Sequence, residues 1–459
     1  MTIIEQPKLP EIAENSIRVA RPSIGLFDAI ALIVGLVIGA GIFETPALVA
    51  ANANSETDVL QAWGLGGVIS IIGALCYAEL ATTYPNIGGS YDYLKRAFGR
   101  SIAILFAWAR LSVIQTGSIA LLAFVFGDYA SQILRLGTFS AGIYAALAIA
   151  LLTALNILGV KHSKRLQNWL TITTSLGLLA IIIIGLTLPT GNSPAPATTA
   201  TTSRSWGSAM VFVLLSYGGW NEAAQISTEI ENYQRNIIRS LLWGLGIITA
   251  LYLLINLAYL KGLGLMGMAQ SPAVAANLMR QAFGEPGAKF ISILVVVCTL
   301  DSINATIFTG ARTNFALGQD VAAFRFLGVW QDRHNTPTAA YLWQGVISLA
   351  LVGLGTVTRD GFKTMVDYTA PIFWFFFLLS SLSLLVLRVR DSDSPKERLR
   401  QRPRPYRVPL YPILPLLFCA ACGYLLYSSL VYTGTGAIVG VVVVALGIPF
   451  TLRHRQQTR

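Results

Sequence analysis

The sequence Gly39-Ala40-Gly41-Ile42-Phe43 lies in the middle of an apolar run that extends from about residue 26 to residue 50. Such a run is long enough to cross a bilayer, which takes roughly 20 apolar residues. Two glycines, with Pro46 shortly after them, weaken a helix because glycine is up to about 1 kcal/mol less favourable than alanine. We therefore predict a break in this helix. For this run alone, the alternative remains that small residues only permit close helix packing.

A second stretch of the same kind, Ser216-Tyr217-Gly218-Gly219-Trp220, interrupts the apolar run 206–230. Gly41-Ile42-Phe43-Glu44 aligns with Gly219-Trp220-Asn221-Glu222 at a constant offset of 178 residues. In lipid, unpaired backbone groups cost several kcal/mol each unless a cavity or ligand satisfies them. Interrupted segments at corresponding positions of two halves are the best sequence indication of a transporter's binding site.

Composition places the chain in the membrane. Of its 459 residues 54% are hydrophobic and only 12% are charged, against about 25% charged in soluble domains. We predict an all-α polytopic membrane protein with about 12 transmembrane helices and breaks in helices 1 and 6. The apolar runs are 26–50, 62–83, 101–127, 139–159, 165–187, 207–231, 237–261, 288–316, 338–356, 366–387, 410–431 and 436–452.

The distribution of the basic residues behind the net charge of +11 indicates how the chain is oriented in the membrane. If the N-terminus is cytoplasmic, 25 of the 33 Lys and Arg residues fall in cytoplasmic segments, 7 lie on the opposite side, and Arg110 lies within the third run. The positive-inside rule then predicts that both termini are cytoplasmic in a multi-pass protein of the cell membrane, plasma or inner. The basic charge therefore does not indicate a nucleic-acid partner.

The runs divide the chain into segments. We predict a short amphipathic helix near residues 85–94, with Tyr91 and Tyr93 at the membrane interface. The predicted segments are an N-terminal tail (1–24), a first five-helix repeat (25–187), an external loop (188–206), a second five-helix repeat (207–387), a basic cytoplasmic loop (388–409), two further helices (410–452) and a C-terminal tail (453–459).

Metal sites and enzyme chemistry find no support in the sequence. The four cysteines all lie in apolar runs, the three histidines form no ligand cluster, and no nucleophile–base pair appears. We expect a protein that is not an enzyme and that holds no metal and no cofactor.

A broken helix offers free carbonyls at the C-terminus of one half and free N–H groups at the N-terminus of the other. The carbonyls attract a cation and the N–H groups an anion. Two adjacent breaks would therefore bind an α-amino acid, with its carboxylate on amides 40–42 and its ammonium near the carbonyls of residues 37, 215 and 218. The candidate substrate-binding residues are Val37, Ile38, Ala40, Gly41, Ile42, Leu215, Ser216, Gly218 and Trp220.

Charged residues near the breaks are candidates for ion coupling. Glu44 and Glu222 each occupy the first turn after a break, where they either complement a helix N-terminus or titrate during transport. Arg110 lies deep in the third run and should face the bundle interior or pair with a carboxylate. Asp301, in the polar eighth run, is either a coupling residue or a structural partner of Arg110 or of hydroxyl groups.

The motifs together resemble the amino acid–polyamine–organocation superfamily, and within it the L-type amino acid transporter branch. The resemblance covers about residues 20–452. It implies the LeuT-like 5+5 inverted-repeat fold with broken helices 1 and 6, alternating access, amino acids as substrates, and the ligand contacts derived above. The motifs are Gly39-x-Gly41-Ile42-Phe43, Tyr77-Ala78-Glu79-Leu80 with Gly88-Gly89-Ser90-Tyr91, Tyr217-Gly218-Gly219-Trp220-Asn221 with Glu229, and Arg404-Pro405-Tyr406-Arg407-x-Pro409.

The chain departs from this family pattern in three places. Thr174 stands where many relatives carry a lysine that bridges to the first helix in place of sodium. Leu215 replaces a gating aromatic residue before the second break. The loop 128–138 contains no cysteine, whereas heteromeric relatives use one to bind a glycoprotein subunit. We therefore expect no disulfide-linked heavy subunit, and a monomer or homodimer.

The sequence thus predicts a secondary active transporter of amino acids that is proton-coupled or an exchanger. One competing hypothesis is a sodium-coupled symporter of amino acids or amines, in which Thr174 and Ser302 would lie near the cation. Two further hypotheses are a channel-like conductor and a sensor that binds an amino acid without translocating it.

Overall fold

The computed structural model describes residues 25–85, 89–159, 164–189, 205–224, 230–331, 336–358, 360–393, 404–433 and 435–451. These residues are almost entirely helical. The α-helices are α1 (Leu26–Val37), α2 (Gly41–Asn52), α3 (Glu56–Thr83), α4 (Ser90–Phe98), α5 (Arg100–Ala109), α6 (Gln115–Ile133), α7 (Ser140–Ile157), α8 (Lys164–Thr187), α9 (Trp206–Ser216), α10 (Tyr233–Ala269), α11 (Val274–Asp320), α12 (Thr338–Thr358), α13 (Gly361–Asp393), α14 (Ile413–Thr433) and α15 (Thr435–Ala445).

Short turns of other helix types punctuate this set. A π-helical turn, Arg110–Ile114, joins α5 to α6, and 3₁₀ turns follow α9 (Trp220–Ala224) and α11 (Ala322–Gly328). A π-turn inside an α-helix is rare and is found mostly at functional sites. The π-turn here begins at the one basic residue that the sequence places inside the third apolar run.

The chain is a polytopic membrane protein. Within the described ranges, eight helices are long and apolar enough to cross a bilayer, or nine if the pair α1 and α2 forms one span. Shorter apolar helices lie in the remaining predicted runs, at Thr173–Thr187, Trp206–Ser216 and Gly436–Thr451. The total of 12 spans and the inverted repeat stay predictions.

The first predicted break is present. The axes of α1 and α2 differ by 52°, and residues 38–40 between them are not helical. The last N–H that continues α1 is that of Ile38, which donates to the Val34 carbonyl at 2.8 Å. The flexibility of the two glycines and the absence of an N–H at Pro46 weaken a continuous helix here.

The long helix α10 places the two breaks relative to the rest of the bundle. It packs against α1, α2, α3 and α8, while α6 packs against α7, α11, α12 and α13. The half-helix α2 packs against α9, α10, α11 and α6, whereas α1 packs principally against α10 and the 3₁₀ turn after α9. The second half of the broken helix, α2, is therefore the more enclosed one.

Several predicted segments differ in detail. The short amphipathic helix exists as α4, but Tyr93 on it is fully buried and packs against Tyr77 at 6.4 Å between ring centroids, so its assignment to the membrane interface was wrong. Helix α13 runs on to Asp393, past the predicted end of the second repeat at residue 387. The tails 1–24 and 452–459, most of the loop 188–206, residues 394–403, Gly88 and Glu229 lie outside the described residues.

Candidate functional site

The second predicted break is also present, and it lies against the first. Helix α9 ends at Ser216, and residues 217–219 form a turn in which Gly219 has φ +111°. A Cβ atom on Gly219 would lie 2.6 Å from the carbonyl oxygen of Leu36, and one on Gly41 would lie 3.3 Å from the Ser216 Oγ. Only glycine therefore fits at position 219, since L-residues rarely adopt this φ and the backbone of α1 leaves no room.

The N–H groups at the start of α2 are unused. The amides of Ala40, Gly41 and Ile42 make no hydrogen bond to any described residue, and the next one, Phe43, returns to the Ala40 carbonyl at 3.1 Å. Free N–H groups at a helix N-terminus, together with the helix dipole, favour an anion. These are the amides that the sequence assigns to a carboxylate.

The carbonyls at the breaks are more heavily used than predicted. The Val37 carbonyl accepts hydrogen bonds from the Gly39 N–H at 2.8 Å and the Tyr252 hydroxyl at 3.1 Å. The Leu215 carbonyl accepts from the Gly218 N–H at 3.1 Å. A carbonyl has two lone pairs, so an ammonium group at Val37 would displace one of its present donors. The Gly218 carbonyl accepts from no described donor and is the better placed of the three.

Tyr252 joins the two breaks. Its side chain is fully buried, and its hydroxyl lies 3.1 Å from the Val37 carbonyl and 3.1 Å from the Ser216 carbonyl, at the C-termini of α1 and α9. A hydroxyl has a single proton, so it serves one carbonyl at a time or shares its proton between them. The sequence analysis did not find this residue, because one tyrosine in an apolar helix carries no signal of its own.

Thr45 makes a second link, also not predicted. Its hydroxyl lies 2.6 Å from the Ser216 hydroxyl and donates to the Gly41 carbonyl at 2.8 Å. Both hydroxyl-bearing residues are buried. The bond to Gly41 is an ordinary hydroxyl bond to the carbonyl four residues earlier in α2, whereas the contact between the two hydroxyls joins α2 to the end of α9.

An aromatic cluster lies against the second break. Trp220 is 4% exposed and makes edge-to-face contacts with Tyr77 at 5.2 Å and Phe377 at 5.5 Å, measured between ring centroids. A narrow space between Gly218 and these rings holds about one water molecule. Contact between Trp220 and a ligand stays a prediction, since in this conformation the ring is covered by other aromatic side chains.

The remaining candidate substrate-binding residues line the same junction. Ile38 and Ile42 are buried beside the break, whereas Leu215 and Gly218 are partly exposed. No bulky side chain separates Gly41 from Ser216 or Gly219 from Leu36. The contact between the breaks is therefore made by backbone and small side chains.

The two aligned glutamates have different surroundings. Glu222 accepts hydrogen bonds from Arg110 Nη2 at 3.2 and 3.3 Å, so the predicted carboxylate partner of Arg110 exists. Glu44 Oε2 is buried and has no hydrogen-bond partner among the described residues, and Asp128 and Asp360 act on it with like charge.

Arg110 forms its ion pair with Glu222, whereas a pairing with Asp301 was one of the alternatives given for that carboxylate. Arg110 lies on the π-turn, which points it toward the 3₁₀ turn after α9, where Glu222 is located. Asp301 is partly buried in the middle of α11. Its coupling role stays a prediction.

Thr174, at the position of the missing lysine, lies at the contact between α8 and α11. Its hydroxyl is 2.6 Å from the Cys298 Sγ, and the Ser302 hydroxyl donates to the Cys298 carbonyl at 3.2 Å. Thr174 and Ser302 are partly exposed. A sodium ion beside these two residues stays a prediction.

A buried ion cluster explains two of the sequence motifs. The Glu79 side chain is fully buried and accepts hydrogen bonds from Arg388 Nε at 2.7 Å, Arg404 Nη1 at 2.6 Å and the Val408 N–H at 2.7 Å. Arg404 also contacts Asp391. A buried carboxylate requires this many donors, and the cluster fixes the segment 404–409 to the ends of α3 and α13.

Comparison with known proteins agrees with this geometry. A family described as "Amino acid permease" matches residues 24–449. The human b(0,+)-type amino acid transporter 1 is 30% identical over 377 residues, which is 78% of this chain and 74% of the relative. The human large neutral amino acids transporter small subunit 2 is 30% identical over 97% of this chain and 83% of its own length.

A bacterial relative extends the comparison across almost the whole of both chains. The serine/threonine exchanger SteT of Bacillus subtilis (strain 168) is 26% identical over 94% of this chain and 96% of its own length. All of these relatives are named as transporters or exchangers, and none as an enzyme. The chain therefore belongs to the amino acid permease family, within the amino acid–polyamine–organocation superfamily, and its relatives include members of the L-type transporter branch.

Proposed function

We propose that this protein is a secondary active transporter that moves α-amino acids across the membrane by alternating access, either coupled to protons or as an exchanger. The observation that carries the proposal is the junction of the two breaks. Unused amides 40–42 lie on one side of it, and the unused Gly218 carbonyl lies on the other. Backbone groups of opposite polarity at mid-membrane fit the carboxylate and the ammonium of a zwitterion.

The relatives' names support the substrate class. Both human relatives are named for amino acids, and the Bacillus relative is named an exchanger of serine and threonine. We extend amino acid transport to this chain on that basis, with 12 helices, a 5+5 inverted repeat and both termini in the cytoplasm. We propose a monomer or homodimer in the cell membrane that works without a disulfide-linked subunit.

The test is uptake into proteoliposomes that contain the purified protein. Vesicles loaded with L-serine, L-leucine or L-arginine, or left empty, receive the same labelled amino acid under a proton gradient, a sodium gradient or no gradient. Exchange predicts uptake only into loaded vesicles, and proton coupling predicts accumulation under the proton gradient. A sodium-coupled symporter predicts accumulation under the sodium gradient.

Accumulation driven only by the sodium gradient would contradict proton coupling and exchange. Two further results would contradict transport itself. A protein that binds a labelled amino acid but shows no uptake and no counterflow would be a sensor. Currents far above carrier turnover would indicate a channel.

A further inference from the structure

The ion pair between Arg110 and Glu222 joins the second broken helix to the helix α5–α6. Arg110 Nη2 lies 3.2 Å from Glu222 Oε2 and 3.3 Å from Oε1, and the Asn221 amide donates to the same carboxylate at 3.2 Å. The Arg110 side chain is 13% exposed and that of Glu222 is 34% exposed. Charged side chains within apolar spans are costly and are usually functional.

The arginine side of this pair is held rigidly. The π-turn displaces one carbonyl from the helix pattern, and the Tyr368 hydroxyl donates to the Ser112 carbonyl at 3.0 Å. One turn before Ser112, Trp108 Nε1 donates to the Val443 carbonyl at 2.8 Å. One turn after Ser112, the Gln115 side-chain amide donates to the Thr306 carbonyl at 2.9 Å. Three other helices therefore fix the backbone that carries Arg110.

The glutamate side is attached to the broken helix. Glu222 lies in the 3₁₀ turn, three residues after Gly219, and its N–H donates to the Gly219 carbonyl at 3.0 Å. Gly219 in turn lies against the Leu36 carbonyl. A displacement of Glu222 therefore moves the backbone of both breaks.

We propose that Arg110 is a positioning residue for transport: it holds Glu222, and with it the inner part of the second broken helix, against the rigid helices around α5–α6. The effect on transport rests on the proposed function. The link between Arg110 and Glu222, which we call the tether, is a contact of the folded protein and does not depend on it. When the site opens toward the predicted cytoplasmic side, either the ion pair between Arg110 and Glu222 breaks or the helices around Arg110 move together with Glu222.

The tether is tested by cysteine labelling, which needs no substrate. In a background where Cys76, Cys298, Cys419 and Cys422 are replaced by alanine, Leu36→Cys reports on the end of α1, because the Leu36 carbonyl lies against Gly219 of the second break. A membrane-impermeant thiol reagent is applied to each face of the vesicles. The variants are R110Q, E222Q, the double variant R110Q/E222Q and the charge swap R110E/E222R.

Loss of the tether should raise the labelling rate of Leu36→Cys at least threefold in R110Q and in E222Q. The double variant should be no faster than the single variants, and the charge swap should return to within twofold of the parent, because residues that act as a pair are not additive. The matched control is R96Q, which removes an exposed pair with Asp92 within α4 and should leave the rate unchanged.

Unchanged rates in both single variants, or single effects that multiply in the double variant, would overturn the proposal. Partial unfolding is detected with Cys422 as the only cysteine, because that residue is fully buried and should stay unreactive. If R110Q or E222Q is partly unfolded by this criterion, the charge swap R110E/E222R is the deciding variant. A folded charge swap in which Leu36→Cys is labelled at least threefold faster than in the parent contradicts the tether.

A transport measurement separates the two proposals. With labelled L-serine, L-leucine and L-arginine, R110Q should lower the maximal exchange rate at least fivefold while the KM at the outer face changes less than twofold. If the parent protein neither exchanges nor accumulates any of the three, the proposed function fails, and the labelling result still decides the tether.

Discussion

The two breaks have aligned sequences but resume their helices in different ways. After the first break, α2 continues as a regular α-helix with unused N–H groups at its start. After the second break, the chain passes through Gly219 at φ +111° into a 3₁₀ turn, where Trp220 is covered by aromatic rings and Glu222 is paired with Arg110. The first break therefore leaves backbone N–H groups without a partner among the described residues, which suits the ligand site that we propose, whereas the second is held by contacts with neighbouring helices.

The aligned glutamates show the same difference. Glu222 has a guanidinium partner, whereas one oxygen of Glu44 is buried without a hydrogen bond to any described residue and faces acidic neighbours. Equivalent positions in two repeated segments have thus acquired different surroundings. Sequence alignment of the breaks alone does not distinguish them.

The largest expected effect is that of Gly219→Ala. An L-residue in a left-handed conformation costs about 1–2 kcal/mol, and the new methyl group would also lie 2.6 Å from the Leu36 carbonyl. We expect the transport rate in proteoliposomes to fall by more than about tenfold, which corresponds to about 1.4 kcal/mol. The control is Gly41→Ala, where the atom nearest to the new methyl group is a hydroxyl oxygen at 3.3 Å, and this variant should keep at least about a third of the transport rate. Equal losses of rate in the two variants would contradict the difference between the two breaks.

Gly41→Val tests the ligand side of the comparison. The two added methyl groups would fill the space beside the unused amides and the Ser216 hydroxyl, so binding of a labelled amino acid should weaken by about tenfold or more. Expression and thermal stability should change little. Gly64→Val is the matched control, since no atom lies within 4 Å of its Cβ position, and its affinity should equal that of the unaltered protein.

Tyr252→Phe tests the link between the breaks. A buried hydrogen bond contributes about 0.5–1.5 kcal/mol, so its loss should lower transport or binding by roughly two- to tenfold. Tyr259→Phe, on the same helix, removes a fully buried hydroxyl that has no partner among the described residues. That control should be neutral or stabilising in a thermal melt, and a loss as large as that of Tyr252→Phe would show that the bridge is not specific.

Glu44→Gln has the smallest expected effect on stability. The change removes about 0.3–1 kcal/mol of favourable charge at a helix N-terminus, but it also removes the cost of burying a charged carboxylate that has an oxygen without a hydrogen-bond partner among the described residues. The thermal midpoint of the purified protein should be unchanged or slightly higher. Glu222→Gln, which leaves Arg110 without its partner, should lower the midpoint, and the opposite ranking would contradict the assignment of the two environments.

The sequence was sufficient to predict the helical class, both breaks and the glycines that cause them, because these follow from the length of the hydrophobic runs and from backbone chemistry. It also predicted that Arg110 faces the bundle interior or pairs with a carboxylate. It did not identify Glu222 as that partner, because the choice depends on the π-turn and on where the 3₁₀ turn places the glutamate. Tyr252, Thr45 and the burial of Tyr93 depend on contacts between distant helices, for which a single apolar helix carries no pattern.

The central claim is that backbone groups at the junction hold both charged ends of an amino acid, and competition binding tests it most directly. Purified protein with a labelled amino acid (L-leucine, L-serine and L-arginine in turn) is challenged with the unlabelled amino acid, its decarboxylated amine and its deaminated acid. The account predicts that only the complete amino acid competes, with the amine and the acid each at least about tenfold weaker. An amine or an acid that competes as well as the amino acid would show that one half of the proposed site does not contribute, and would contradict the account.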